Sequence, residues 1–284
     1  MVYLLTQTLN GLFSAALLFL IASGLTLVFG VMRIVNIAHG SFYMLGAYVA
    51  STVVARSRSL LLGAVGAIVA VAVVGFAVQS LLLRRFAGKP LAQMMLTMGV
   101  ALVLRDLVFV IWGGDPFTLP YPPTLRGSVA AAGVVFPRYR LFVVAVAVCV
   151  GALLWFVNEK TLVGARLRAA VDDPEMAAGT GINVAWLSAC VFAAGAGLAA
   201  FGGAMGGPIL GGYTGMDFDL LPLAFVVVIV GGMGSLKGAL VGSLIVGLID
   251  NFGKALVPEL SYFSLFAPMV IVLAVKPTGL YGRP

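Results

Sequence analysis

Charge, cysteine and histidine are all scarce in this sequence, and each shortage removes a class of function. Acidic and basic residues make up 10% of the 284 residues, against 62% hydrophobic ones. A soluble protein of this length has ample core without that bias. Cys149 and Cys190, the two cysteines, lie in apolar stretches with neither a disulfide framework nor a metal-site spacing. They read as small buried hydrophobes. The single histidine, His39, has no Ser–Asp spacing around it, so nucleophile-and-base catalysis lacks its partners. No phosphate-loop pattern GxxxxGK[ST] occurs, so the chain is not expected to bind ATP itself. No enzyme activity, cofactor or metal is expected. The start MVYLLTQTLN has no basic n-region and no small-residue cleavage pattern follows, so no removable signal peptide is expected. Separate soluble domains, long linkers and internal repeats are also missing from the pattern.

What remains is apolar. Runs of about 20 apolar residues are long enough to cross a hydrocarbon core as helices. Candidate spans are 9–29, 37–54, 60–83, 94–112, 141–157, 184–205, 220–230, 239–252 and 265–275. Several are short, and tilted, broken or re-entrant passage is expected for some. The fold class is therefore an all-α polytopic transmembrane bundle of about eight or nine spans, with residues 1–284 forming one membrane domain. The net charge of +7 is explained by basic residues at span ends and does not point to nucleic acid. Placing loop 158–183 inside also puts Arg33, Arg84, Arg85, Lys89, Lys160, Arg166, Arg168, Lys237, Lys276 and Arg283 inside. Arg56, Arg58, Arg126, Arg138, Arg140 and Lys254 then fall outside. That bias expects an external N-terminus and a cytoplasmic C-terminus. The external loop 113–140 carries Pro116, Pro120, Pro122, Pro123 and Pro137, and an irregular path is expected there.

The sharpest signal is a polar island, residues 161–183, reading TLVGARLRAAVDDPEMAAGTGIN. A first helical run carries Arg166 and Arg168. Asp173 precedes Pro174, and a residue before proline avoids the α region, so that helix stops there. Asp173 then becomes the N-cap of a second, short helix with Pro174 at its first position. Glu175 suits the positive helix start. Gly179 and Gly181 can end it. Helix, turn, short helix, turn is the shape of a docking handle; the plainer reading is a solvated loop rich in positive charge.

Glycine is abundant and clusters in GGAMGGPILGG (202–212) and GGMGSLKG (231–238). Two readings stay open: close helix packing through small residues, or broken helices lining a cavity. Asn36, His39 and Gly40 enter the second span, and polar groups inside a bundle are costly and often mark a pathway. A lone histidine near an interface is more often a hydrogen-bonded structural residue. Arg105 and Asp106 point roughly 100° apart on a helix, as an interfacial pair or with one of them pairing across helices. Asp217 and Asp219 suit a helix N-terminus. Asp250 and Asn251 cap a span or contact an external partner. The candidate path set is Asn36, His39, Gly40 and Asp106.

Three blocks carry a resemblance. LNGLFSAALLFLIASGLTLVFGVMRIVNIAHGSFYMLGAY opens the chain, GARLRAAVDDPEMAAGTGINVAWLSACVFAAGAGLAAFGG holds the island, and VGGMGSLKGALVGSLIVGLIDN leads to the ending KPTGLYGR. Together they resemble the permease subunit of ABC importers for branched-chain amino acids, over nearly the whole chain. The short N-terminus and the AHGSFYMLGAY block are more similar to the shorter of the two permeases such systems use. Arg105–Asp106 and Leu223 depart from the usual residues of that family. The resemblance implies an all-helical permease in the bacterial inner membrane, paired with a second related permease. It also implies two ATP-binding subunits docking from the cytoplasm and a periplasmic binding protein delivering a small-molecule substrate. Gly164, Arg166, Asp172, Asp173, Pro174, Glu175, Met176 and Gly181 match the family's loop pattern and are implied to couple to the ATPase. Met176 and Ala177 would supply apolar contact. Arg166 and Arg168 would pair with acidic groups or lipid headgroups. The alternative reading is a self-contained channel or ion-coupled carrier. An intramembrane enzyme ranks below both, because it needs paired carboxylates or an activated nucleophile.

Overall fold

The computed structural model describes residues 2–131 and 133–282. Arg283, expected inside, lies outside the described residues. The fold is nearly all helix. In chain order come α1 (Val2–Met32), α2 (His39–Ser57), α3 (Leu60–Ala77), α4 (Pro90–Trp112), α5 (Arg138–Lys160), α6 (Leu162–Asp172), α7 (Pro174–Gly179), α8 (Val184–Leu210), α9 (Met216–Gly231), α10 (Leu236–Leu256) and α11 (Ser261–Val275). A π-helical turn, Val78–Leu82, and a 3₁₀ turn, Leu83–Phe86, continue α3.

Among the described residues, six helices are long and apolar enough to cross a membrane: α1, α3 with its continuation to Phe86, α4, α5, α8 and α10. The other candidate segments fall on α2, α9 and α11. The last two have 16 and 15 residues. At about 1.5 Å per residue they fall short of a hydrocarbon core about 30 Å thick. In α2, His39, Ser41, Ser51 and Thr52 dilute the hydropathy.

α1 lies at the centre, buried from Phe13 through Val28 almost without break, against α10, α8, α9 and α5. α4 buries one stripe, Gln93, Thr97, Ala101, Leu104 and Val108. α5 buries Tyr139, Val143 and Ala147. Their other faces show large apolar side chains, as a lipid-facing helix would. Cys149, read as buried, is exposed on the outer side of α5, because a uniformly apolar helix does not reveal which face is inside.

Close backbone approach holds the centre. In lipid there is little hydrophobic drive between helices, so packing of small residues carries association. A Cβ at Gly46 of α2 would run into Ala200 of α8, and one at Gly203 into the Tyr43 carbonyl. Gly24 of α1 and Gly195 of α8 meet in the same way, as do Gly231 and Gly238 at the α9–α10 crossing. For the glycines at 202–207 the packing reading holds, since α8 runs unbroken through them. Polar ties add register. Asn251 Nδ2 donates to the Gln7 carbonyl (2.8 Å) and to Gln7 Oε1 (2.9 Å), joining α10 to α1. Asp250 pairs with Lys254 at 2.7 Å. Arg140 donates to Asn10 Oδ1 and lies 5.2 Å over the Phe13 ring. The chain end clips onto the last turn of α9: the N–H groups of Leu280 and Tyr281 donate to the carbonyls of Val230 and Gly231.

Loop 113–140 is less irregular than its prolines suggest. β1 (Ser128–Ala131) and β2 (Val134–Pro137) form an antiparallel hairpin, favoured by the β-branched and aromatic run Val134, Val135, Phe136. Phe117 and Gly212 exchange backbone hydrogen bonds at 2.9 and 2.8 Å, pinning the loop to the end of α8. Arg138 and Arg140, expected in the loop, belong to α5.

Candidate functional site

Two polar regions interrupt the apolar helices, one projecting and one buried. The projecting region is α6–α7. Thr161 Oγ1 caps α6 by accepting from the Gly164 N–H at 3.4 Å. Gly164 is buried against the carbonyl of Asn158, where any Cβ would collide. Arg168 donates to that same Asn158 carbonyl. Gly164 and Arg168 thus fold α6 back on the end of α5, a task the sequence did not reveal. α6 ends at Asp172. Asp173 Oδ1 accepts from the N–H groups of Glu175 (3.0 Å) and Met176 (2.9 Å), with Pro174 at the first helical position. The Ile182 N–H donates to the Ala177 carbonyl and the Gly181 N–H to the Ala178 carbonyl, while Gly181 sits at φ +89°. This is a Schellman ending, whose left-handed position suits glycine. Gly179 is the last helical residue and not the cap. Asn183 Oδ1 then caps α8 through the Trp186 N–H at 2.9 Å.

Each turn of the handle is therefore capped, and its outer face is open. Arg166, Asp172, Asp173, Pro174, Glu175 and Met176 are exposed. Met176 is 67% exposed whereas Ala177 is 4% exposed. The contact expected of Met176 is available; that expected of Ala177 is not, because Ala177 faces inward. Leu162 and Val163 add exposed apolar surface at the start of α6.

The buried region centres on the strap 33–38 and the start of α2. His39 is fully buried; its Nε2 lies 2.9 Å from the Ile21 carbonyl, and its ring packs at Gly24. Gly40 lies against the Asp217 carbonyl, and a Cβ there would collide. Ser41 Oγ donates to Asp217 Oδ2 at 2.9 Å. The Ile37 N–H donates to Thr97 Oγ1 at 3.2 Å. Asn36 is 1% exposed, and neither amide atom has a hydrogen-bonding partner among the described residues. Beside the strap lies a groove of about 570 Å³ between α1, α9 and α11, lined by Val35, Ile37, Phe29, Phe218, Phe225 and Met269 among other apolar side chains.

Asn36, His39 and Gly40 come together here; Asp106 does not. It is exposed on α4, while neighbouring Arg105 lies 5.4 Å over the Phe218 ring. Ser41 and Asp217 were missed as site residues. Asp217 and Asp219 read alike in sequence, yet Asp217 is buried between helices and Asp219 is exposed. Tyr213 donates to Asp219 at 2.5 Å, and that bond together with partial burial pushes the phenol up to about 12. Only the packing of α9 against α2 separates the two carboxylates.

Comparison with known proteins agrees with this architecture. The family described as branched-chain amino acid transport system permease component matches residues 7–275. The chain is 30% identical to the high-affinity branched-chain amino acid transport system permease protein LivH of Escherichia coli (strain K12), covering 99% of this chain and 96% of that protein. It is 29% identical to the corresponding protein BraD of Pseudomonas aeruginosa, with the same coverage of each. The solved structure of PsaBC from Streptococcus pneumoniae in complex with Fab is similar in fold, with a TM-score of 0.50 and 13% identity over 96% of this chain and 92% of that one.

Proposed function

The chain belongs to the family of branched-chain amino acid transport system permease components, and from that premise we propose that it forms half of the membrane pathway of an ATP-driven importer. The substrates are branched-chain or related hydrophobic amino acids. The observation that carries this reading is the match to family members over almost the full length of both chains. A second related permease supplies the other half, two ATP-binding subunits dock on the cytoplasmic side, and a periplasmic protein delivers substrate. The bilayer is the bacterial inner membrane. α2, α9 and α11 join the six long helices in the bundle. The N-terminus is outside and the C-terminus cytoplasmic, as the basic residues around α6–α7 favour.

The α6–α7 handle is the coupling element. Met176 and Pro174 offer the apolar contact, and Arg166, Asp172, Asp173 and Glu175 the polar rim. Gly164, Arg168 and Gly181 set its shape. An ATPase shifts the permease between outward-open and inward-open states only through contacts that differ between them, and a rigid capped handle passes such contacts to α5 and α8. The strap is the responding element. Each unpaired buried polar atom costs about 1–3 kcal/mol, so a state in which Asn36 gains partners is favoured by that order. His39 and Gly40 hold the strap to α1 and α9, and the adjoining apolar groove suits an aliphatic side chain. Asp106, on the outer face of α4, is assigned to the surface and not to the path.

The test is co-purification in mild detergent from the native membrane. An ATPase and a second permease should accompany the wild-type chain, and the ATPase should be lost on combining Pro174→Gly with Arg166→Glu. Recovery of the chain alone, active without ATP, would overturn the proposal.

A further inference from the structure

Arg105 is a charged residue within an apolar span. α4 is one of the six helices able to cross a membrane and ends at Trp112; Arg105 lies about 10 Å along the helix from that end. A charge at such a depth is costly, and an intramembrane ionisable residue marks a functional site whose partner has to be named. Arg105 is half-buried, and its side chain reaches from α4 to the start of α9. The guanidinium carbon lies 5.4 Å over the Phe218 ring, and a Cβ on Gly215 would come within 3.2 Å of Nη2. α2 packs against both helices.

The nearby carboxylates do not answer this charge. Asp106 is exposed on another side of α4. Asp217 Oδ2 accepts from Ser41 at 2.9 Å, and Asp219 Oδ2 accepts from Tyr213 at 2.5 Å. Arg105 has neither a hydrogen-bond nor an ion-pair partner among the described residues. A ring face attracts the cation but leaves its N–H donors unused. Phe218 has a second role, because it also lines the groove between α1, α9 and α11. That groove follows α9 from Phe218 to Ile229, about 16 Å, and every side chain lining it is apolar. An unpaired cation therefore stands at the Phe218 end of an apolar trough. The complementary ligand has one anionic head and an aliphatic body. The guanidinium fork matches the two oxygens of a carboxylate.

We propose that Arg105 binds the carboxylate of the hydrophobic amino acid substrate while the substrate's side chain enters the groove past Phe218. This rests on the importer reading and adds to it the group that orients the substrate. The α-ammonium is attached next to the carboxylate, so it stays at the mouth and clear of the apolar wall. Without substrate, Phe218 holds the guanidinium in place. An arriving carboxylate exchanges that weak contact for charge-assisted hydrogen bonds.

The test measures binding of radiolabelled leucine, and of leucinamide, which lacks the carboxylate, to the purified full chain in phosphatidylcholine nanodiscs. Leucine should bind wild type, and Arg105→Gln should weaken that binding about tenfold, the effect of losing one charged hydrogen-bonded contact. Arg105→Lys, which keeps the charge without the fork, should recover part of it. Leucinamide should bind Arg105→Gln no more weakly than wild type, and the variant should melt as wild type does, results that a purely structural role of Arg105 would not give. Equal loss of both ligands, leucine binding unchanged in Arg105→Gln, or no leucine binding by wild type would overturn the proposal. An anionic lipid that stays on wild type through exchange into phosphatidylcholine and leaves in Arg105→Gln, with leucine unbound, would also overturn it and give the guanidinium to a lipid phosphate. Neither ATPase nor binding protein is present, so failure here strikes the Arg105 site and leaves the importer reading to the co-purification experiment.

Discussion

The handle at 161–183 and the strap at 33–38 both interrupt apolar helices with polar residues, and they treat those residues in opposite ways. In the handle, side-chain caps from Thr161, Asp173 and Asn183 and the turn at Gly181 complete the helix ends, and the remaining polar groups face outward. In the strap, Asn36 is buried and neither amide atom has a partner among the described residues, and the same holds for Nδ1 of the adjoining His39. A segment with its hydrogen bonds satisfied holds one shape and can transmit a push. A segment with unpaired buried groups gains from a change of shape. The contrast is what supports the proposal that the first transmits force and the second responds.

The largest effect should come from removing the shape of the handle. Gly164→Leu places side-chain atoms where the Asn158 carbonyl now lies, at a cost of about 1–3 kcal/mol, and displaces α6. ATPase recovery on co-purification should fall by about tenfold or more, while the amount of this chain in the membrane is kept. Recovery at the wild-type level would mean that the fold of α6 does not matter for docking.

Next is a change of opposite character in the strap. Asn36→Leu removes both unpaired atoms, so thermal stability should hold or rise while ATP-driven uptake falls several-fold. A destabilised protein would show that Asn36 has partners in the resting state and would dissolve the contrast. A milder probe of the handle is Asp173→Ala, which removes the acceptor of two N–H groups for about 1 kcal/mol. Uptake should drop about fivefold, and Asp173→Asn, which retains the capping oxygen, should restore most of it.

The smallest effect concerns Tyr213, outside both regions. Its phenol, raised from 10.0 to about 12 by the bond to Asp219, donates only while protonated. Whatever stability that bond contributes is present below pH 10 and lost as pH rises through about 12, so function near neutrality should not change. Ultraviolet titration of the phenolate should find the shift in wild type and a return toward 10.0 in Asp219→Asn.

Local rules made the handle legible. The break before Pro174, the cap at Asp173 and the turn at Gly181 depend on neighbours within a few residues, and the sequence displays those neighbours. Gly164 was matched only as part of the coupling loop and Ala177 was read as apolar contact; that both pack inward depends on where α6 and α7 fold relative to α5, which no short-range pattern encodes. The apolar segments were legible by length and composition, yet the buried stripe on α4 and the outward Cys149 were not, since helices apolar on all sides hide their periodicity. Asp217 and Asp219 look equivalent until α9 packs on α2. The hairpin at 128–137 was obscured by prolines flanking a run that favours strands.

The most direct test of the central claim is leucine uptake into liposomes reconstituted with this chain, its partner permease, the ATPase and the binding protein, each omitted in turn. The account predicts uptake only when all are present and ATP is supplied, and its loss when Gly164→Leu replaces the wild-type chain. Uptake by this chain alone, driven by a gradient without ATP, would contradict it.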